Sequence, residues 1–249
     1  MNQKFFMCRI LLSSALLVGC DQLAPDAMNA SPSSHGSRTA TTTVAVDPIV
    51  VELFQSQGCS SCPPANAALN AVADRDDLIA LSFAVTYWDR LGWKDIFGGK
   101  AYTQRQYDYA HAMRAPNVYT PQVIINGTRA ITGSRPGELV RAIAMSKPLA
   151  GGPSISKQGN SVKIGSGEGS ADIWLVRYDP RSQNVAIRSG ENEGQTLPHK
   201  NIVRQLDRLG AWRGASAEFT LTGAKSANWN SVILLQRAQG GPIIAAKKI

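Results

Sequence analysis

The strongest constraint on this chain is a Cys-x-x-Cys pair, Cys59 and Cys62, that stands between a predicted strand and a predicted helix. The run Ile49–Phe54 is rich in β-branched and aromatic residues, which favours a strand. The segment Ala65–Ala73 is rich in Ala and Leu, which favours a helix. Two prolines follow Cys62, and their missing N–H donors are tolerated only near the first turn of a helix. The sequence therefore predicts that a helix begins beside the two cysteines.

This position has a chemical consequence for the first cysteine. The unpaired N–H groups and the positive dipole end of a helix stabilise a thiolate, which lowers the pKa of a cysteine placed there. We therefore expect Cys59 to be the attacking, partly exposed sulfur. Cys62, nearly one turn further on, is expected to be the shielded partner that closes the disulfide.

The cysteine count limits what the pair can be. The chain has four cysteines, and Cys8 and Cys20 lie in or beside the apolar N-terminal segment. In an exported chain the remaining pair forms either a redox dithiol or a small structural disulfide. A zinc site needs four ligands, and His111 and His199 are far apart and in no ligand spacing. We expect no metal and no cofactor, and we expect His199 to be a loop residue.

The N-terminal segment predicts export. Lys4 and Arg9 lead into an apolar run that is too short to cross a bilayer and ends on small residues, as signal peptides do. Leu17-Val18-Gly19-Cys20 resembles the bacterial lipobox, whose cysteine is lipidated and becomes the first mature residue. This resemblance implies a signal peptide over residues 1–19 and a lipid anchor on Cys20. The alternative is an ordinary signal peptide cut a few residues later, with Cys20 discarded.

The residues after the lipobox predict where the protein is held. Asp21 resembles the signal that keeps lipoproteins in the inner membrane, and two or more acyl chains give stable anchoring. Residues 20–47 are rich in Ala, Ser, Thr, Pro and Asn, which predicts a flexible linker. We therefore expect an extracytoplasmic domain, on the periplasmic side, tethered to the inner membrane.

The composition excludes other classes of protein. With 249 residues, 43% of them hydrophobic and 18% charged, the chain can bury a sizeable core and is not disordered. The formal net charge of +8 comes from scattered Lys and Arg residues. Since no groove-reading motif accompanies these residues, we expect no nucleic-acid partner.

Residues 48–150 alternate strands and helices. The apolar run Leu78–Val85 predicts a strand in the middle of a sheet, and an Asn-Gly turn within Val118–Ile131 predicts a hairpin. Gly99–Ala115 and Pro136–Met145 predict helices. The order β-α-β-α-β-β-α, with Cys-x-x-Cys after the first strand, resembles the α/β thioredoxin-like fold, a mixed sheet flanked by helices.

The thioredoxin resemblance implies roles for further residues. In that superfamily a cis proline packs beside the dithiol and leaves a backbone edge for a substrate strand, and Thr120 and Pro121 match those positions. We therefore expect a cis Thr120–Pro121 bond in contact with Cys59. Trp88 and Trp93 follow the second strand, at the sheet end that carries the dithiol. They either line a substrate groove or belong to the core.

Glu52 is the third candidate for a catalytic role, beside the two cysteines. Thioredoxins often keep a buried carboxylate on the strand that leads to the dithiol, where it accepts the proton of the resolving cysteine. Glu52 lies on the corresponding strand, seven residues before Cys59 and one residue further than in thioredoxin. Which face of the strand Glu52 occupies therefore stays open, and a structural role is the alternative.

Several separated motifs narrow the resemblance to one family. They are VELF at 51–54, SQGCSSCPPA at 56–65, YWD at 87–89, LGWKD at 91–95, VYTPQ at 118–122, GEN at 190–192 and LGAW at 209–212. On these motifs the chain resembles an exported, thioredoxin-like bacterial family catalogued as domain of unknown function 1223. One departure is Ala84-Val85-Thr86, where that family often has His-Val-Asp.

Residues 151–249 predict a β-rich C-terminal module. Short β-runs alternate there with Gly, Pro and Asn. Those at Asp172–Tyr178 and Val232–Gln236 are apolar enough to be central strands. We expect the module to be a packing partner or a binding platform for the first part. The predicted strands are Ser161–Ile164, Ala171–Tyr178, Asn184–Arg188, Glu218–Leu221, Ser231–Arg237 and Pro242–Ala246.

The sequence thus predicts a membrane-tethered, extracytoplasmic thiol–disulfide oxidoreductase that uses Cys59 and Cys62. Its expected partners are thiol- or disulfide-bearing exported proteins, together with the membrane through the lipid anchor. The alternative is a non-enzymatic, thioredoxin-like binding or assembly lipoprotein whose Cys59–Cys62 bond is structural.

We predict that Cys20→Ala releases the protein from the membrane fraction or stops its processing, because the residue that carries the acyl chains is lost. Fractionation of cells in high salt, followed by immunoblotting, checks this outcome. Cys8→Ala lies in the segment that we expect to be removed, and it serves as the control. Salt-resistant membrane association of the Cys20→Ala variant contradicts the lipid anchor.

Overall fold

Apolar, β-branched runs of the sequence form strands, and Ala- and Leu-rich runs form helices, as their side-chain preferences dictate. The computed structural model describes residues 47–223 and 226–249. The α-helices in this part of the chain are α1 (Pro63–Val72), α2 (Lys100–Ala112) and α3 (Glu138–Ala144). The strands are β1 (Ile49–Gln55), β2 (Leu78–Ala84), β3 (Gln122–Ile125), β4 (Arg129–Ile131), β5 (Ile155–Gln158), β6 (Ser161–Ile164), β7 (Ala171–Asp179), β8 (Gln183–Ala186), β9 (Thr196–His199), β10 (Ile202–Trp212), β11 (Ala217–Thr220), β12 (Asn230–Gln236) and β13 (Ile243–Lys248).

The main sheet is mixed and has the strand order β13-β12-β7-β10-β2-β1-β3-β4. β2 pairs in parallel with both β1 and β10, whereas the other neighbouring strands are antiparallel. The seam between β2 and β10 is the registered pair Ser82–Ile202, beside a hydrogen bond of 2.9 Å from Ser82 N to the Asn201 carbonyl. Strands from before and after residue 150 therefore share one sheet, and the described residues form one compact unit.

The two faces of the sheet are covered differently. On one face, Tyr102 and Tyr109 of α2 join a buried cluster with side chains from both parts of the sheet. On the other face, α1 and α3 cover the first part, with Leu69 and Leu139 in the cluster. The small sheet β11-β6-β5 covers the second part of that face, around the buried Trp212. The protein therefore has three layers, with the main sheet in the middle.

A two-stranded hairpin, β8–β9, lies outside these layers and against α1. Its Val185 and Leu197 share a buried cluster with Phe97 of the segment after β2. Asn70 of α1 donates a 3.0 Å hydrogen bond to the carbonyl of Pro198. The loop that connects the two strands, residues 187–195, is called the hairpin loop below.

The strands and helices predicted between residues 48 and 150 are all present, and their ends differ by a few residues. In the second part the predicted strands are also present, but β5, β9 and β10 were missed. β10 is long and central, yet its pairing with β7 shifts register between Val203 and Gln205 and between Arg208 and Gly210. Such bulges interrupt the alternation of side chains between the two faces, so β10 has no regular polarity pattern.

The predicted signal peptide (1–19), Cys20 and nearly all of the predicted linker (20–47) lie outside the described residues. Among the helices within the described residues, none has the length and apolar character that crossing a bilayer requires.

A buried ion pair joins both parts of the sheet to α2. The side chains of Glu52 and Arg105 are 0% and 3% exposed, and Arg105 Nε donates to Glu52 Oε1 over 2.7 Å. The Tyr109 hydroxyl also donates to Glu52. Arg105 Nη1 donates to Gln236 Oε1 of β12 over 2.9 Å. One guanidinium therefore binds β1 on one side and β12 on the other.

We predict that Glu52→Gln lowers the free energy of unfolding by about 3–5 kcal/mol, because it leaves the Arg105 charge buried without a counter-ion. Asp77→Asn is the control, since it breaks the exposed Arg75–Asp77 pair and costs at most about 1 kcal/mol. Urea unfolding followed by circular dichroism measures both values. Equal costs for the two variants contradict a stabilising role for the buried pair.

Candidate active site

The two cysteines lie in the turn between β1 and α1, as predicted. Cys59 N donates to the Ser56 carbonyl over 3.2 Å, and Cys62 N donates to the Cys59 carbonyl over 3.1 Å. Cys62 is the residue before the helix, and Pro63 and Pro64 occupy its first positions. The helix begins here because N–H groups in the first turn of a helix have no acceptor within the helix, and proline has no N–H to leave unpaired.

Cys59 and Cys62 form a disulfide, and their Cα atoms are 5.4 Å apart. Both residues are 0% exposed. The prediction that Cys59 alone is partly exposed is therefore wrong for the oxidised protein. Backbone and side chains from elsewhere in the chain cover the turn, which the local sequence does not reveal.

Thr120 contacts the disulfide, and Trp88 contacts Thr120. The Thr120 hydroxyl donates to Cys59 Sγ over 3.2 Å, and the Trp88 indole Nε1 donates to the same hydroxyl oxygen over 2.7 Å. The Thr120–Pro121 peptide bond is cis, as predicted. The Ser61 hydroxyl further donates to the Thr120 carbonyl over 3.3 Å. Of the predicted site residues, Thr120 therefore contacts Cys59 directly and Trp88 is linked to it through Thr120.

Trp93 lies behind the turn and holds its backbone through Gln57. The indole Nε1 of Trp93 donates to Gln57 Oε1 over 2.8 Å. Gln57 itself is fully buried, two residues before Cys59. Trp93 therefore contacts the turn that carries the two cysteines, residues 56–62, which is called the dithiol turn below. Trp88 contacts the site elsewhere, at Thr120.

Glu52 is not brought to the dithiol. Side chains alternate along a strand, so Val51 and Leu53 point to the face covered by α1, and Glu52 points to the face covered by α2. Its carboxylate is bonded to Arg105 there. Glu52 therefore lies on the face of the sheet opposite to α1, the helix that begins beside the two cysteines.

The hairpin loop adds two groups that sequence reasoning did not select as site residues. Asn192 is fully buried, and its Nδ2 donates to the Gln57 carbonyl (2.8 Å) and to the Cys59 carbonyl (3.0 Å). Glu191 Oε2 accepts the Ser60 backbone N–H over 3.0 Å. The sequence did contain a signal, the Gly-Glu-Asn motif at 190–192. This motif supported the family resemblance, but no function was assigned to its residues. The dithiol turn is therefore held by both parts of the chain.

Asp95 is a third missed residue, and it is 3% exposed. Its carboxylate accepts the backbone N–H groups of Gln57 and Phe97, each over 2.8 Å. Burial raises the pKa of Asp95 to about 6, against the lowering effect of these two hydrogen bonds, and the nearby Asp89 raises it further. A carboxylate that titrates near neutral pH is thus bonded to the backbone of the dithiol turn.

His199 is buried and ends β9, so the prediction of a loop residue is wrong. Its Nδ1 lies 3.5 Å from Asn66 Nδ2 on the first turn of α1, and its ring packs edge-on against Phe97 at 5.7 Å. Burial lowers the pKa of His199 to about 4, which keeps the ring neutral. Among residues 47–223 and 226–249, no three His, Cys, Asp or Glu side chains group as metal ligands.

Comparison with known proteins gives one family and two similar structures. A family model described as a protein of unknown function, DUF1223, matches residues 50–236. The crystal structure of protein AGR_C_4864 from Agrobacterium tumefaciens has 33% sequence identity, covers 81% of this chain and 93% of its own, and has a TM-score of 0.67.

The second similar structure is HBP35 of Porphyromonas gingivalis, with a TM-score of 0.50 and 12% identity over 82% of this chain and 74% of that one. At this identity the likeness is one of fold alone. No curated protein matches this chain.

Asp95 and His199 affect the pH dependence of folding in opposite directions. From about pH 4 to 6, the raised pKa of Asp95 makes the folded state bind more protons than the unfolded state, so stability falls as pH rises. Over a similar range, from about pH 4 to 6.5, the lowered pKa of His199 makes the unfolded state bind more protons, so stability rises with pH. In the native protein the two slopes offset each other.

We predict that Asp95→Asn makes the melting temperature rise more steeply from pH 4 to 6.5, because only the His199 slope remains. His199→Gln leaves the Asp95 slope, so its stability falls from pH 4 to 6. Each effect amounts to roughly 3 kcal/mol over the window. Thermal unfolding as a function of pH measures both signs, with the exposed His111→Gln as control. The same pH profile in all variants contradicts these assignments.

Proposed function

This chain belongs to the DUF1223 family of proteins of unknown function, and we propose that it is a thiol–disulfide oxidoreductase that reacts through Cys59 and Cys62. One observation carries the proposal. The two cysteines are bonded to each other directly before α1, and the Thr120 hydroxyl donates to the Cys59 sulfur over 3.2 Å. A donor fixed on Cys59 prepares this sulfur to carry negative charge.

Trp88 gives the Thr120 hydroxyl its direction. An indole N–H can only donate, so the oxygen of Thr120 accepts from Trp88. The hydroxyl proton is then free to point at Cys59. This arrangement supports Cys59 as the attacking sulfur and Cys62 as the resolving one.

The proposed fold of the first part is thioredoxin-like. The strand order β2-β1-β3-β4, with β1 and β2 parallel and β3 antiparallel to β1, supports this. So does the position of α1 between the two parallel strands, with the dithiol at its N-terminus. In this proposal, strands β7, β10, β12 and β13 extend a thioredoxin-like sheet across its β2 edge.

The proposed reaction moves two electrons between thiols. In the reducing direction, the Cys59 thiolate attacks a substrate disulfide, its S–S bond breaks, and one substrate sulfur leaves as a thiolate that takes a proton from solvent. Cys62 then gives its proton to solvent, and its thiolate attacks Cys59 Sγ, which breaks the mixed disulfide and releases the second substrate thiolate. The substrate gains two electrons and the protein ends as the Cys59–Cys62 disulfide. The oxidising direction is the reverse.

Exchange requires a local opening of the site, because both cysteines are 0% exposed in the oxidised protein. The groups in contact with Cys59 itself include the Thr120 hydroxyl, at its sulfur, and Asn192 of the hairpin loop, at its carbonyl. A substrate sulfur reaches Cys59 only when one of these contacts is displaced.

The same burial favours a second candidate function, a binding or assembly protein with a structural disulfide. A structural bond of this kind has a reduction potential below about −300 mV, whereas exchange-active dithiols of exported proteins have higher values. The reduction potential of the pair therefore separates the two functions.

The proposed location is the extracytoplasmic side of the inner membrane, with Cys20 as lipid anchor. The sequence of the N-terminal segment supports it. Proposed partners are exported proteins that carry thiols or disulfides.

We predict that Cys62→Ser traps a mixed disulfide at Cys59 when the reduced protein meets oxidised glutathione, because no second thiol resolves it. Cys59→Ser forms none at the dithiol. Intact-mass and peptide mass spectrometry distinguish the two, and the double variant Cys59→Ser/Cys62→Ser controls for the other cysteines. If neither single variant traps glutathione and both lose similar thermal stability, the bond is structural and the oxidoreductase proposal fails.

A further inference from the structure

We infer that Glu191 is a positioning residue of the dithiol, whose carboxylate favours the closed disulfide and opposes a thiolate on Cys59. This inference rests on the proposed function, since it concerns how readily the pair is reduced. Glu191 belongs to the hairpin loop, far from the cysteines in sequence, and its Oε2 accepts the Ser60 N–H over 3.0 Å. Ser60 is the residue directly after Cys59.

The hydrogen bond to Ser60 removes a donor from the dithiol turn. Backbone N–H groups at the start of a helix are the donors that stabilise a cysteine thiolate. Ser60 lies in the turn, three residues before Pro63 begins α1, and its N–H is already bonded to the Glu191 carboxylate. When the disulfide is reduced, a thiolate on Cys59 therefore lies next to an N–H group that Glu191 has taken.

The charge of Glu191 acts in the same direction as its hydrogen bond. The bond to Ser60 lowers the pKa of Glu191, so the carboxylate is ionised at neutral pH. A negative charge beside the turn repels a thiolate and leaves the uncharged disulfide unaffected. Both effects favour the oxidised form of the pair.

Glu191 is exposed, but its backbone is firmly placed. The neighbouring Asn192 is fully buried and donates to the carbonyls of Gln57 and Cys59. On the other side, Gly190 has a φ of +80°, and a Cβ at this position would lie 3.3 Å from the Trp93 Cβ. Glycine therefore permits a close approach between the hairpin loop and Trp93, and this contact fixes where the Glu191 side chain begins.

The experiment compares Glu191→Gln with Glu193→Gln in the full chain. Glu193 is exposed on the same loop, so its variant removes the same charge without removing the Ser60 contact. For each protein, redox equilibration with glutathione gives the reduction equilibrium constant of the pair. The pH dependence of Cys59 alkylation, read by peptide mass spectrometry on reduced protein, gives the thiolate fraction.

We expect Glu191→Gln to raise the equilibrium constant for reduction about three- to ten-fold, which a two-electron couple registers as roughly 15–30 mV. We expect a similar rise in the thiolate fraction of Cys59 at a fixed pH below its pKa. Glu191→Asp, which keeps the charge on a shorter side chain, is expected to lie nearer the unmodified protein. Glu193→Gln is expected to match the unmodified protein in both measurements.

Two outcomes overturn the inference. In one, Glu191→Gln matches the unmodified protein in both measurements. In the other, Glu193→Gln shifts both as much as Glu191→Gln, which means that loop charge alone matters. Failure of the proposed function is a separate result, because absence of a trapped mixed disulfide in Cys62→Ser leaves the alkylation measurement on Cys59 intact.

Discussion

The buried pair Glu52–Arg105 is the interaction on which the arrangement of this protein depends. An unpaired charge in such a core costs several kcal/mol, so Arg105 is acceptable there only when its acceptors are in place. Those acceptors come from β1 through Glu52 and from β12 through Gln236. Trp174 of β7 adds its ring at 5.5 Å from the guanidinium carbon. The first and second parts of the chain must therefore meet beneath α2 to give the buried Arg105 guanidinium all of its acceptors.

This meeting also builds the dithiol site. The seam between β2 and β10 is short, with Ser82 and Ile202 in register. Directly before β10, the β8–β9 hairpin passes α1 and carries Asn192 to the backbone of the dithiol turn. The second part is thus a structural component of the site. Thr120 from the first part bonds to the sulfur of Cys59, and Asn192 from the second part bonds to its carbonyl.

Site residues that match a known motif or fold were predicted from the sequence more readily than site residues whose role depends on contacts in the folded chain. Thr120 and Trp88 were predicted from their resemblance to positions in a known arrangement of strands, and two hydrogen bonds join Trp88 to Thr120 and Thr120 to Cys59. Asp95 and His199 were missed or misjudged, because burial is the main cause of their shifted pKa values and burial belongs to the folded chain. Glu52 was placed on the correct strand, but its face followed from packing against α2.

The sequence by itself determined the elements of the first part, the position of the cysteines before a helix, and the β-rich character of the second part. These features depend on local preferences and on side-chain periodicity, which neighbouring residues encode. Only the tertiary structure decided that both parts share one sheet, that Glu52 pairs with Arg105, and that both cysteines are covered. These outcomes depend on contacts between residues far apart in the chain. β10, the strand that joins the two parts, is an example. Its bulges interrupt the side-chain periodicity from which a strand is predicted.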